Sequence, residues 1–226
     1  MSNLSIVTTA DGSRTIFNAE VGENYHSKHG ALQESRHVFL QQGLDYFLTN
    51  NGQPGQLSVL EVGFGTGLNF LLTADHCTQN NIKLNYTGIE AYPLTTDLLS
   101  ATGYQEHVPE AIWNSFLYSY PDALLGEVEL NDTIDLQIAH TQLLTYTADS
   151  TFNVIYFDAF AAIHQPEMWD EEAIAHTIKF LAPGGVFVTY AITGNLKRQL
   201  KALGLTVQKA PGAPGKREML RAISPV

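Results

Sequence analysis

Two periodicities alternate along the chain. The first is a period of two: Leu4 and Ile6, then Thr15 and Phe17, stand on either side of Asp11-Gly12. Alternation on both sides of a turn dipeptide predicts a β-hairpin. From 30 to 48 the period lengthens. Leu32, Val38, Leu40, Leu44, Phe47 and Leu48 recur with polar residues between them, as along one face of a helix. Asn50-Asn51-Gly52-Gln53-Pro54-Gly55 then breaks that pattern.

Beyond residue 55, short apolar runs take turns with helical stretches. Residues 57–62, 86–89, 133–139, 152–157 and 186–191 read as strands, and 152–157 is apolar except for Asn153. A run of that kind suits a parallel strand buried on both faces. Residues 67–78, 93–101, 106–118, 168–181 and 196–203 read as helices, the fourth stopped by Pro183-Gly184-Gly185. Val207 and the stretch 218–223 predict two closing strands. Only the loop 211–215 joins them, so they must run antiparallel. Strands alternating with helices at this spacing predict an α/β protein with a mostly parallel, doubly wound sheet and an antiparallel C-terminal strand. With 226 residues the chain fits a single domain, 1–226. Residues 1–50 form an N-terminal hairpin and helix extension, and 55–226 the Rossmann-like core.

Composition narrows the classes. Hydrophobic residues make up 44% and charged residues 15%, as in an ordinary globular protein. The one cysteine, Cys77, lies in an apolar helical stretch and reads as core filler; it cannot make a disulfide framework or a cysteine-rich zinc site. The N-terminus lacks a basic segment followed by an apolar run, and no apolar stretch reaches the roughly 20 residues that span a bilayer. The expectation is a cytoplasmic protein with no membrane partner. The net charge is −11, yet from Asn195 onward Lys197, Arg198, Lys201, Lys209, Lys216, Arg217 and Arg221 face only Glu218. An acidic bulk disfavours unspecific binding of DNA, while a basic face near the C-terminus can still dock a polyanion.

The sharpest local signal is Glu61-Val62-Gly63-Phe64-Gly65-Thr66-Gly67-Leu68-Asn69, which follows the first core strand and opens a helix. Glycines let backbone turn tightly against a ligand, and the helix start offers free amides to it. The spacing G-x-G-x-G is neither the dinucleotide fingerprint G-x-G-x-x-G nor a P-loop. Glu90 ends the next strand, where a carboxylate can accept both ribose hydroxyls of an adenosine ligand. Glu61, the three glycines and Glu90 together resemble motifs I and II of the class I S-adenosylmethionine methyltransferases.

Four further segments narrow the resemblance: 25–40, 65–71, Phe157-Asp158-Ala159-Phe160 with Pro166-Glu167-Met168-Trp169, and Lys216-Arg217-Glu218-Met219-Leu220. They are similar to the methyltransferase domain of the MnmC family, including its stand-alone form MnmD, over about residues 24–221. That resemblance implies S-adenosylmethionine as cofactor, no metal, and methylation of the aminomethyl group of 5-aminomethyl-2-thiouridine at the tRNA wobble position. It also implies that the family's oxidase domain has no room in this chain. The sequence departs from the family at Ala162, where proline is usual, and at Ala139-His140, where Gly-Asp is common. It departs again at Gly212-Ala213-Pro214-Gly215, where the family has Gly-Phe-Gly-Arg.

By that resemblance Glu61, Gly63, Gly65, Gly67, Asn69, Glu90, His140 and Asp158 hold the cofactor, and Asp158 is catalytic. A carboxylate at the end of the apolar strand can accept hydrogen bonds from an amine and stabilise the ammonium that forms. Tyr25, Ser27, Lys28 and His29 are expected in an N-terminal lid near the cofactor or the substrate nucleoside. Phe160 and Trp169 are candidates to stack on a base, and equally candidates for the core. Lys216 and Arg217 are candidates for tRNA phosphate contacts. His29 and His37 read as polar histidines rather than metal ligands. Three rival readings are a methyltransferase of the same fold acting on a small amine or another RNA base, a non-catalytic nucleoside- or RNA-binding relative, and an NAD-dependent oxidoreductase, which the glycine spacing disfavours.

Overall fold

A computed structural model describes residues 3–52 and 54–226; Met1 and Ser2, at the head of the expected N-terminal extension, and Gln53 of the expected breaker lie outside the described residues. The N-terminal hairpin forms as expected. β1 (Leu4–Thr8) pairs antiparallel with β2 (Arg14–Asn18), from Leu4 opposite Asn18 to Thr8 opposite Arg14. A two-residue third strand, β3 (Glu23–Asn24), adds to β2 and is too short to leave a period in the sequence. The turn of this hairpin starts the next helix. Gly30 has no side chain to cap it, so Ser13 Oγ accepts from the amides of Ala31 and Leu32 at 3.1 Å each, and Asp11 Oδ2 accepts from Gln33 N at 3.0 Å. Three amides that a helix start leaves without intrahelical partners are satisfied from another element.

The helical stretch expected over 30–48 is continuous but not uniform. α1 (Ala31–Ser35) passes into a ten-residue π-helical segment, Arg36–Asp45, and then into α2 (Tyr46–Asn51). The apolar spacing in the sequence does not distinguish a π segment from an α-helix.

The main sheet has eight strands in the order β10-β11-β9-β8-β4-β5-β7-β6. They are β4 (Gln56–Val62), β5 (Lys83–Glu90), β6 (Val128–Asn131), β7 (Ile134–His140), β8 (Phe152–Phe157), β9 (Leu181–Thr189), β10 (Thr206–Pro211) and β11 (Glu218–Ile223). β7, β5, β4, β8 and β9 run parallel, whereas β6, β11 and β10 each lie antiparallel to a neighbour. The closing pair is therefore as expected, and β6 is an edge strand that the sequence pattern did not announce. α3 (Leu68–Gln79), α4 (Thr96–Ala101), α5 (Glu110–Ala123), α6 (Glu171–Ile178) and α7 (Gly194–Ala202) make the crossovers.

Three helices depart from their patterns. That expected over 93–101 begins at Thr96, where Thr95 Oγ1 accepts from Leu98 N at 3.3 Å, and that over 106–118 runs from Glu110 to Ala123. The expected helix over 168–181 divides into a 3-10 turn, Pro166–Trp169, and α6. Asp170 interrupts it by accepting from Ala173 N at 2.8 Å as an N-cap. At the far end Phe152 N donates to Phe180 O at 2.7 Å and draws the chain into the sheet. β9 therefore begins at Leu181 and runs through Pro183-Gly184-Gly185, with its register against β8 shifted between Phe152 and Val154; it ends at Thr189 rather than at residue 191.

β8 shows why the sheet is buried on both sides. Val154 and Tyr156 belong to the cluster shared with α3, α5 and the 31–51 helix, while Ile155 and Phe157 belong to the one under α6 and α7. Among the described residues, no helix is long and apolar enough to cross a membrane.

Candidate active site

In an open parallel sheet ligands sit beyond the carboxyl ends of the strands, where the order reverses. Here that point lies at β4, which has β5 on one side and β8 on the other. A cavity of about 980 Å³ opens there. Its lining includes Gly63, Gly65, Asn69, Glu90, His140 and Asp158, so most of the expected cofactor residues meet in one place. A volume of this size suits a nucleoside ligand.

Backbone geometry builds the floor. Gly63, Gly65 and Gly67 have φ of +86°, +54° and +76°, a region that L side chains adopt only under strain. Gly63 and Phe64 donate their amides to Ile89 O at 3.0 and 3.1 Å, which ties the loop to the end of β5. Gly65 N donates to Glu90 Oε2 and Tyr92 N to Glu90 Oε1, both at 2.9 Å. The Glu90 carboxylate is thus aimed by two backbone donors before any ligand arrives. His140, at the end of β7, stands opposite Glu90 in the register and is exposed at the cavity wall.

Beneath the loop lies a carboxylate network. Asn69 Nδ2 donates to Glu61 Oε1 at 2.7 Å and to Asp158 Oδ2 at 2.8 Å, and Tyr86 Oη donates to Glu61 Oε2 at 2.7 Å. Asn69 Oδ1 is buried with no protein partner. Burial, with Asp158 nearby, pushes the Glu61 carboxyl well above the usual range. Asp158 is pushed up to about 8, first by burial and then by Glu34, against the hydrogen bond from Asn69 and the charge of Lys216.

A second cavity, of about 420 Å³, adjoins the first. Both are lined by Tyr25, His26, Asp158, Ala159 and Phe160, so Asp158 stands at their junction. Tyr25 and Phe160 meet edge to face there, with ring centroids 5.1 Å apart. Ser27, Lys28 and His29 line the second cavity together with Glu34, Tyr190 and Lys216. The four expected lid residues therefore do gather beside Asp158.

Two of the expected substrate residues have partners within the protein. Of the two roles open to Trp169, the structure gives the core one: it is buried, packs on Phe157 and Tyr190, and donates its indole N–H to Phe160 O at 2.7 Å. Lys216 is exposed and ion-paired. Its ammonium lies 3.0 Å from Glu34 Oε1 and 3.9 Å from the centre of the Tyr190 ring, within the second cavity. Arg217 is exposed and lines neither cavity. His37 Nε2 lies 2.7 Å from Pro211 O, and the His29 ring packs against Gly215. Among the described residues no group of three or more His, Cys, Asp or Glu is placed to hold a metal ion.

The sequence reading missed Glu34, His26 and Tyr190. Glu34 was detectable in principle as a polar residue in the first turns of an amphipathic helix; here it is buried, at 7% exposure. His26 is also buried, its Nδ1 2.9 Å from Thr15 Oγ1. Burial depresses its pKa from 6.5 to about 4, against the pull of Glu34 and Asp11. Below pH 6.5 the unfolded chain binds a proton that the folded chain refuses, so stability is whole above that pH and declines down to about 4. The expected loss across this window is roughly 3 kcal/mol. Thermal melts taken across the window should show it, and His26→Gln should flatten it; an unchanged slope would locate the acid sensitivity elsewhere.

The parallel core, its antiparallel closing pair, the glycine loop after the first core strand and the carboxylate ending the second define a class I methyltransferase that uses S-adenosylmethionine. The chain belongs to the S-adenosyl-L-methionine-dependent methyltransferase family, whose profile matches residues 107–225. It is similar to the tRNA 5-methylaminomethyl-2-thiouridine biosynthesis bifunctional protein MnmC of Methylobacillus flagellatus, at 31% identity over 90% of this chain and 33% of that protein. The protein of the same name from Magnetococcus marinus is 32% identical over 98% of this chain and 35% of its own length. The chain thus spans about a third of the length of these relatives. Among solved structures, MnmC2 from Aquifex aeolicus matches with a TM-score of 0.80 at 22% identity, covering 100% of this chain and 72% of that one. The N-methyltransferase NodS from Bradyrhizobium japonicum matches with a TM-score of 0.50 at 19% identity, over 86% and 97% of the two chains. These two likenesses are of fold.

Proposed function

We propose that the protein methylates the aminomethyl nitrogen of 5-aminomethyl-2-thiouridine at the wobble position of tRNA, and that it does so in the cytoplasm. The observation that carries this reading is Asp158, a carboxylate of raised proton affinity at the junction of a nucleoside-sized cavity and a second cavity. The names of the MnmC relatives give tRNA and 5-methylaminomethyl-2-thiouridine biosynthesis, and that nucleoside less its N-methyl group is the acceptor proposed here.

The residues present fit the cofactor. Asn69 Oδ1 is an acceptor without a partner, Glu90 is a pre-aimed carboxylate, and Gly63 and Gly65 line the cavity beside them in backbone conformations that L side chains rarely adopt. Glu90 would hold the ribose, the loop amides and Asn69 the amino-acid part, and His140 the adenine side, while Glu61, buried and outside the cavity lining, fixes Asn69 from beneath. When bound, S-adenosylmethionine supplies an electrophilic methyl group on sulfur. The acceptor amine attacks with its lone pair, so it must arrive uncharged and in line, and most of the catalysis is positioning. Asp158, at the junction of the two cavities, would accept hydrogen bonds from the acceptor amine, aim its lone pair and take up the N–H proton that the methylated amine must lose. A proton acceptor near pH 8 is well matched to an aliphatic amine. An anticodon loop already exposes its bases, so the second cavity needs no duplex to be opened. Arg217, exposed beside that cavity's Lys216, is the remaining candidate for a tRNA phosphate contact.

The test is direct. The purified protein is incubated with S-adenosylmethionine and tRNA carrying 5-aminomethyl-2-thiouridine, and the digested nucleosides are weighed. A gain of one methyl on that nucleoside supports the proposal. No gain, with the cofactor still bound, would assign the site to a different acceptor.

A further inference from the structure

The second cavity is walled by charges whose arrangement the transfer step alone does not require. Glu34 accepts from the backbone of Ser27 at 2.7 Å through Oε2 and from Lys216 Nζ at 3.0 Å through Oε1. Lys216 Nζ rests 3.9 Å from the centre of the Tyr190 ring, and Tyr190 Oη donates to Ala159 O, next to Asp158, at 2.9 Å. Four separate segments, the lid, α1, the 211–217 loop and the end of β9, are thereby joined around one ammonium group. The Lys216 side chain is 36% exposed at the rim of this wall, and its ammonium is tethered there by Glu34 and the Tyr190 ring. Its charge is spent inside a concave wall that also contains Asp158.

A cation in that position treats the two forms of an amine differently. A protonated amine entering the cavity meets like charge at close range, and a neutral amine does not. The other charged or titratable groups that line the cavity are Glu23, Tyr25, His26, Lys28 and His29. Lys216 opposes the rise in the proton affinity of Asp158, and Glu34 adds to it. We propose that Lys216, held by Glu34 over the Tyr190 ring, is a positioning residue for the acceptor: its fixed charge selects the uncharged form of an incoming primary amine and presents it to Asp158. This rests on the reading of the acceptor as an aminomethyl nucleoside.

The two partners of the pair make opposite predictions. Lys216→Gln removes a positive charge, so both Asp158 and the bound amine hold their protons more tightly. The acidic limb of the kcat/KM profile for tRNA bearing the aminomethyl nucleoside then moves to higher pH by about one unit, and kcat/KM at neutral pH falls about tenfold. Glu34→Gln keeps an acceptor for Ser27 N–H and removes a negative charge, so the limb moves to lower pH. Lys216→Arg keeps the charge and returns the limb to its wild-type place. Limbs that stay put, or move the same way in both neutral variants, overturn the proposal, because a purely structural bridge would affect the two alike. Melting curves identify a variant that fails to fold, and the direction of shift in the other then decides. A wild-type enzyme that transfers no methyl to this tRNA overturns the acceptor reading itself, and this assignment falls with it.

Discussion

Replacing Asp158 with asparagine is expected to lower kcat/KM for methyl transfer by about 10²–10⁴-fold, the usual range for losing a placed proton acceptor. The change is nearly isosteric. An asparagine carbonyl can still accept from Asn69 Nδ2, which now donates to Asp158 at 2.8 Å, so the network under the glycine loop keeps its shape. What disappears is the capacity to take a proton. Cofactor affinity, measured by calorimetry, should therefore change by less than about tenfold while turnover collapses. The pH dependence separates this from a folding defect. Asp158 accepts protons only when ionised, and burial has pushed it up to about 8, so wild-type activity is full above that value and declines as pH falls through it. The variant should lose the part of this limb that belongs to Asp158. Activity within fivefold of wild type would remove the carboxylate from the chemistry and leave it a purely architectural role.

The second large effect is expected at Gly63. A Cβ there would lie 2.6 Å from the carbonyl oxygen and 3.1 Å from the carbonyl carbon of Asp158, on a backbone whose φ is +86°. Neither atom can give way freely, because Asp158 N donates to Val62 O at 2.9 Å and holds the two strand ends together. Gly63→Ala therefore combines backbone strain with overpacking, about 3 kcal/mol together. In a domain of this size that lowers the melting temperature by about 6–12 °C. The same displacement moves the loop away from Asp158, so cofactor binding should weaken at least tenfold. A variant that melts like wild type and binds the cofactor normally would show that the loop yields at no cost, against the close approach described above.

The doubly wound sheet was legible because its signals are long and redundant. β8 is a nearly unbroken apolar run ending at Asp158, and the glycine loop follows β4 directly. Local order of this kind survives in sequence because each residue's burial repeats with the element's own period. β3 and β6 had no such redundancy: two and four residues at sheet edges cannot establish a period. The helix over 168–181 was overextended because its apolar residues continue across the cap at Asp170 and into β9. At the site, sequence placed Asp158, Glu90 and the glycines together, since all end or follow core strands. Direction was the harder property. Lys216 and Trp169 were identified as residues of interest, but whether each points outward or inward depends on Glu34, Tyr190 and Phe157, which lie far away in the chain. Glu34 itself looked like one more polar position in a helix.

The bridges between the lid helix and the C-terminal loop also bear on how the protein forms. Glu34 and Lys216 are 182 residues apart, and His37 and Pro211 are 174 apart. Contacts of such separation must overcome a large loop-closure entropy before they contribute anything, and they form late. During synthesis the N-terminal part emerges first, at roughly 5–20 residues per second. Every residue of the glycine loop, Glu90 and Asp158 has left the ribosome before the 211–217 loop exists. The cavity at the glycine loop can thus assemble on a growing chain, whereas the second cavity waits for the last strands to bring Lys216 and Tyr190 to its wall. A chain released early is left with the glycine-loop cavity open to water and its second cavity missing the wall that Gly215 and Lys216 provide.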